Sequence, residues 1–173
     1  MKGSVKIEKI KTLVLLVGLI VFSLLANAYQ FNNWRVSNPK NITYYVKPSD
    51  SIATSTEINA VASAVPSWQT YCPELKMSRT DTINASMIFA FYLDIDNDTY
   101  ATAYSTKEVA FYKSWKGLSL LRKQETAVHE AGHLLGLVHC QSQYEAESVM
   151  RALDFNDVAH PLADDKRGIA VLY

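Results

Sequence analysis

The sequence predicts a single α+β domain with about five strands in a mixed, twisted sheet and three helices. Three observations carry this. The length, 173 residues, suits one domain. Short β-rich runs alternate with segments of helical periodicity. One long apolar run, Ala85 to Leu93, reads as a central strand buried on both faces, the pattern of a sheet covered on each side.

The elements follow in order. Ile42 to Val46 alternates and ends at Pro48, giving a first strand. Thr54-x-x-Glu57 is a capping box that opens a helix. Ile58, Val61, Ala62, Val65 and Trp68 share one face of it. Pro66 must kink or break that helix, because it removes a backbone donor and clashes with the preceding turn. Leu75 to Ser78 is a short second strand, Tyr100 to Tyr104 and Glu108 to Trp115 two more. A helix starts near Leu118 or Ser119, after Gly117.

That helix carries His129-Glu130-Ala131-Gly132-His133-Leu134-Leu135-Gly136-Leu137-Val138-His139, which fits HExxHxxGxxH at every fixed position. Residues four apart lie on one helix face, so His129 and His133 can offer two imidazoles to one ion. Gly136 permits the left-handed turn that ends a helix. His139 can then return as a third ligand, leaving the fourth position of a Zn2+ site for water. Glu130 follows the first ligand and suits a general base, not a ligand. Three of only four histidines fall on the required positions, which makes coincidence a poor account.

The beginning of the chain reads as a secretory signal. Lys2, Lys6, Lys9 and Lys11 precede an apolar stretch from Leu13 to Leu25, and Ala26-Asn27-Ala28 is an A-x-A cleavage site. Residues 1–28 are therefore expected to be a signal peptide and 29–173 the working domain, secreted or held at the cell surface if the leader is retained. The apolar stretch is short for a membrane span, so no stable membrane insertion is expected after cleavage. Removing four lysines and one glutamate from 17 basic and 17 acidic groups leaves 13 and 16, a net charge of −3. That balance gives no support to nucleic-acid binding. In an exported protein, Cys72 and Cys140 are a candidate disulfide, which would contribute about 3–4 kcal/mol in the chain-entropy model. Two separate thiols, or approach of Cys140 to the metal, are the alternatives. His160, the fourth histidine, reads as a loop or capping residue beside Pro161.

The chain resembles the catalytic domain of matrixins, a branch of the metzincin zinc peptidases. The zinc motif is the strongest match. Ser148-Val149-Met150 looks like the metzincin Met-turn, and Asp164-Asp165-Lys166-Arg167-Gly168-Ile169-Ala170-Val171-Leu172-Tyr173 is similar to the closing helix. Trp68, Cys72-Pro73-Glu74-Leu75 and Ser78-Arg79 are a weaker echo. The resemblance implies a zincin-like fold with its zinc cleft between a larger N-terminal and a small C-terminal subdomain. It implies zinc-dependent hydrolysis of peptide bonds in a protein or peptide substrate by a monomer, with Met150 as a hydrophobic floor. The strand at Tyr100 to Tyr104 would be an edge strand that pairs with substrate through Ala101 and Ala103.

Departures from the pattern matter as well. Arg151-Ala152-Leu153 replaces a proline-bearing segment that lines the specificity pocket in the family, so the preferred residue after the cut is open. No histidine precedes His129, so a second, structural zinc of the family type is not expected. Asp94-Ile95-Asp96-Asn97-Asp98 begins like a Ca2+ loop but lacks the sixth-position glycine and twelfth-position glutamate. No cysteine-bearing propeptide is expected between signal and domain. The other readings are a narrow-specificity processing peptidase and a catalytically silent peptide-binding module of the same fold.

Overall fold

A computed structural model describes residues 30–48 and 53–173. The proposed signal peptide and the expected mature start at Tyr29 lie outside the described residues. Five strands, β1 (Ile42–Val46), β2 (Met77–Arg79), β3 (Met87–Tyr92), β4 (Ala101–Ala103) and β5 (Glu108–Tyr112), form one sheet in the order β2-β1-β3-β5-β4. All neighbours run parallel except β4, which lies antiparallel to β5 at one edge. The expected mixed five-stranded sheet is present.

The helices number five among the described residues, not three: α1 (Ser55–Ala64), α2 (Ser67–Tyr71), α3 (Lys113–Lys116), α4 (Leu120–Leu134) and α5 (Ala163–Leu172). The reasons are local. Pro66 divides the first helical pattern into α1 and α2, as its chemistry demands. Residues 113–116, expected to extend a strand, turn into a short helix that swings Trp115 into the core against Phe111, ring centroids 4.5 Å apart. A 3-10 helix spans Ser142–Glu147.

Helix α4 is held from several sides. Ser119 caps its start, accepting from the Arg122 N–H. Helix α1 packs along it, and so do β4 and β5. Two buried indoles donate to its carbonyls, Trp68 to Val128 at 3.0 Å and Trp115 to Lys123 at 3.2 Å. The buried pair Lys123–Glu57, 2.9 Å, ties α4 to α1. Glu57 also accepts from the Thr54 N–H, so the residue that closes the capping box anchors two helices. The core between helices and sheet includes Ile42, Val61, Val65, Phe89, Phe111, Val128 and Leu134, all fully buried.

The stretch Gln30–Val36 runs beside the end of α4. Phe31 and Leu137 form an antiparallel bridge, and Tyr173 at the far end of the chain donates its hydroxyl to the Leu135 carbonyl. No described helix is long and apolar enough to cross a membrane.

Candidate metal centre

Helix α4 ends where the sequence requires. Gly136 has φ +104°, a conformation that a side chain would strain, and its N–H donates to the His133 carbonyl. A Cβ there would also come within 2.9 Å of the Trp34 carbonyl oxygen. The reversal brings His139 back toward the helix. The ligand atoms of His129, His133 and His139 lie within 4.8 Å of one another. This is the one group of three or more metal-ligating side chains among the described residues.

Each helical imidazole is oriented by its other nitrogen. His129 Nδ1 is 2.8 Å from the Val149 carbonyl, and His133 Nδ1 is 2.9 Å from the Leu137 carbonyl. A carbonyl only accepts, so both Nδ1 atoms carry the proton and both Nε2 atoms keep their lone pairs. Burial, the foremost cause, holds His129 and His133 down to about 4, so both are neutral and ready to ligate. Three imidazoles, two of them with fixed tautomers, are a donor set that fits zinc.

Ser148-Val149-Met150 lies beneath. Its backbone touches both ends of the ligand set, with Val149 O on His129 and Met150 O accepting from Cys140 N at 2.9 Å, one residue from His139. Met150 is 2 % exposed and packs under Gly132 of α4. Asp165, at the start of α5, holds the turn from the other side. Its carboxylate accepts from the Ser148 hydroxyl, from Val149 N at 2.8 Å and from Leu162 N at 2.7 Å. Asp164 binds Arg167 at 3.2 Å.

Glu130 is buried beside the histidines. Burial, above all, raises its pKa, against the lowering effects of His133 and of a hydrogen bond from the Ala103 backbone. Its Oε2 is buried and has no protein partner. A buried carboxylate oxygen with no protein donor is open to water or a ligand in the cleft.

The cleft, about 600 Å³, is walled by β4 on one side and by residues 151–155 on the other. Tyr112 N donates to Tyr100 O at 2.9 Å, which makes Tyr100 and then Thr102 the residues that bond to β5. In an antiparallel pair the alternate residues face away, so Ala101 and Ala103 present their backbone groups to the cleft. Ala103 already spends its N–H on Glu130. The opposite wall is braced by Arg151, which donates to the carbonyls of Leu153 and Phe155 and to the Asn156 side chain. Glu125, one turn before His129, accepts from Asn156 N at 2.7 Å and Val158 N at 3.2 Å. Tyr100 and Phe155 meet from the two walls, ring centroids 5.6 Å apart.

Three further sequence readings can be set beside the structure. Cys72 and Cys140 are both buried free thiols, so the candidate disulfide is not present here, and Cys140 is not among the clustered ligands. Burial pushes the Cys72 thiol up to about 12, where it is inert. The carboxylates of Asp94, Asp96 and Asp98 do not gather into a Ca2+ cage: Asp96 pairs with Lys113 at 3.0 Å, and Asn97 accepts from Thr99 N. His160 stacks on Tyr71 with centroids 4.5 Å apart, away from the three clustered histidines, as a loop residue.

No protein-family model matches the chain, and no curated protein matches it. Among solved structures, the fold is similar to that of myroilysin, with a TM-score of 0.57 at 15 % identity, covering 80 % of this chain and 82 % of that one. At this identity the likeness is one of fold, and with the three-histidine cluster it is a zincin-like one.

Proposed function

We propose that the protein is a zinc-dependent endopeptidase of the metzincin group, matrixin type, exported to act on protein or peptide substrates. The observation that carries the reading is the meeting of three clustered imidazoles, two of them tautomer-fixed, with a buried Glu130 oxygen that has no protein partner, in a cleft flanked by an edge strand. The Met150 floor and the α5 carboxylates support the matrixin reading through the sequence resemblance, and the likeness of fold to myroilysin supports the zincin-like class.

His129, His133 and His139 would hold the ion. Zinc bound there would polarise a substrate carbonyl and lower the pKa of water. Glu130 takes the proton from the attacking water on Oε2 and delivers it to the leaving amine. Ala101 and Ala103 offer main-chain groups to an extended substrate, a contact that is indifferent to its sequence. The Glu130 carboxylate is itself buried, and its low exposure strengthens these interactions.

A narrow-specificity processing peptidase is the second reading. The Tyr100–Phe155 contact joins the two walls and favours it, because it limits what the cleft admits beside those rings.

The test is cleavage of an unfolded protein by the purified enzyme, beside Glu130→Gln. Cutting that stops with a chelator, returns with zinc and falls by a factor of about 10² or more in the variant supports the assignment. Zinc-loaded, folded protein that cuts nothing sinks the broad endopeptidase. Cut sites in a peptide mixture then separate broad from narrow specificity. Export is tested by N-terminal sequencing of the protein from culture medium, with Tyr29 expected first.

A further inference from the structure

Asn32 lies 101 residues before His133, on the stretch that runs beside the end of α4. Its side-chain nitrogen donates to the His133 carbonyl at 3.2 Å and to the Leu137 carbonyl at 3.1 Å. Both partners are acceptors, so the amide orientation is fixed by the bonds it makes. The Leu137 carbonyl is the same oxygen that takes the His133 Nδ1 proton. Its two lone pairs are thus shared between Asn32 and the imidazole. The backbone reinforces the arrangement, with Asn32 N donating to Gly136 O at 2.7 Å and Val138 N donating to Gln30 O at 3.0 Å. These bonds bracket the Gly136 reversal on both sides. The reversal sets where His139 stands relative to His133.

We infer that Asn32 is a positioning residue for the metal centre: its amide clamps the Leu137 and His133 carbonyls, and so holds the His133 imidazole and the Gly136 reversal in ligating geometry. The inference rests on the metal-centre reading above and deepens it. The physical basis is that a group bonded to a ligand's partner fixes ligand direction without touching the ion, and losing such a group costs about 10–100-fold in metal affinity. The bland alternative is that Asn32 merely satisfies carbonyls left open at a helix end, which would matter for folding and not for the ion.

The experiment measures zinc affinity by competition with a chromophoric chelator, and thermal unfolding of the metal-free form, in wild type, Asn32→Ala, Asn32→Ser and Arg35→Ala. Serine cannot span both carbonyls and serves if the alanine variant does not fold. Arg35 bonds to Leu172 O at 3.0 Å, on the same stretch but not to the metal turn. Asn32 variants should bind zinc about 10-fold or more weakly, with metal-free unfolding close to wild type, and Arg35→Ala should bind normally. In the NMR spectrum the His133 Nδ1 proton should exchange faster in the Asn32 variants.

Unchanged affinity in both Asn32 variants overturns the assignment, as does a loss matched by Arg35→Ala, which would put the effect on the stretch as a whole. Wild-type protein that takes up no zinc overturns the metal-centre reading, and this proposal with it.

Discussion

The sulfur of Met150 sits directly under the bare Cα of Gly132: a Cβ added to Gly132 would come within 2.3 Å of Sδ and 3.0 Å of the Trp68 ring. The methionine therefore fills the space that the glycine leaves, between the two helical ligands. Alanine in a helix ordinarily gains about 1 kcal/mol over glycine. Here overpacking against two buried side chains, costing roughly 1–3 kcal/mol, should outweigh that gain. Gly132→Ala is expected to lower the unfolding midpoint and Met150→Ala to lower it further, by about 2–5 kcal/mol. The double variant should lose less than the two singly in sum, because each change relieves the other. Additive losses in urea melts would show that the two residues do not share the space.

Much of this site was legible because its logic is local. His129 and His133 are one turn apart, Gly136 follows them, and the positive φ and the returning His139 follow from that spacing. The Pro66 break and the start of α4 near Ser119 were legible for the same reason. The edge position of Ala101 and Ala103 came through the family resemblance, and the register with β5 supplies its physical basis. What sequence reasoning missed depends on distant partners. Glu125 bonding the 156–158 backbone and Asn32 clamping Leu137 leave no periodic or capping signal at their own positions. The Lys113–Lys116 turn was hidden because Trp115 keeps strand-like alternation with Phe111 while its backbone has already coiled.

The Glu57–Lys123 pair makes acid stability predictable. Burial works to raise the Glu57 pKa, but hydrogen bonds from Lys123 and Thr54 win and hold it at about 2. A carboxylate held below its unfolded value adds stability that is complete above about pH 4.5 and is lost as pH falls through 2. The contribution at neutral pH is on the order of 3 kcal/mol, from the roughly 1.4 kcal/mol carried by each pKa unit. Glu57→Gln should thus be less stable than wild type at pH 6, with the gap shrinking to roughly half or less by pH 3. Urea unfolding across that range is the check, and a gap that stays constant with pH would remove the ion pair from the account.

Glu125 gives the cleft wall its fixed distance from the metal helix. Its carboxylate lies on α4 one turn before His129 and takes backbone N–H groups from residues on either side of Asp157. Asp157 itself has φ 55°, a backbone conformation that needs outside support in a non-glycine residue. Removing the acceptor leaves part-buried donors unpaired, at a cost of about 1 kcal/mol or more. That cost falls on the wall and not on the ligand set, since His129 keeps its bond to Val149. Glu125→Ala is therefore expected to raise KM for a peptide substrate about tenfold while kcat and zinc content stay near wild type. The 151–158 segment should also become a site of nicking by an added protease. If KM holds and the segment stays resistant, the wall is set by Arg151 and the Tyr100–Phe155 contact without help from the helix.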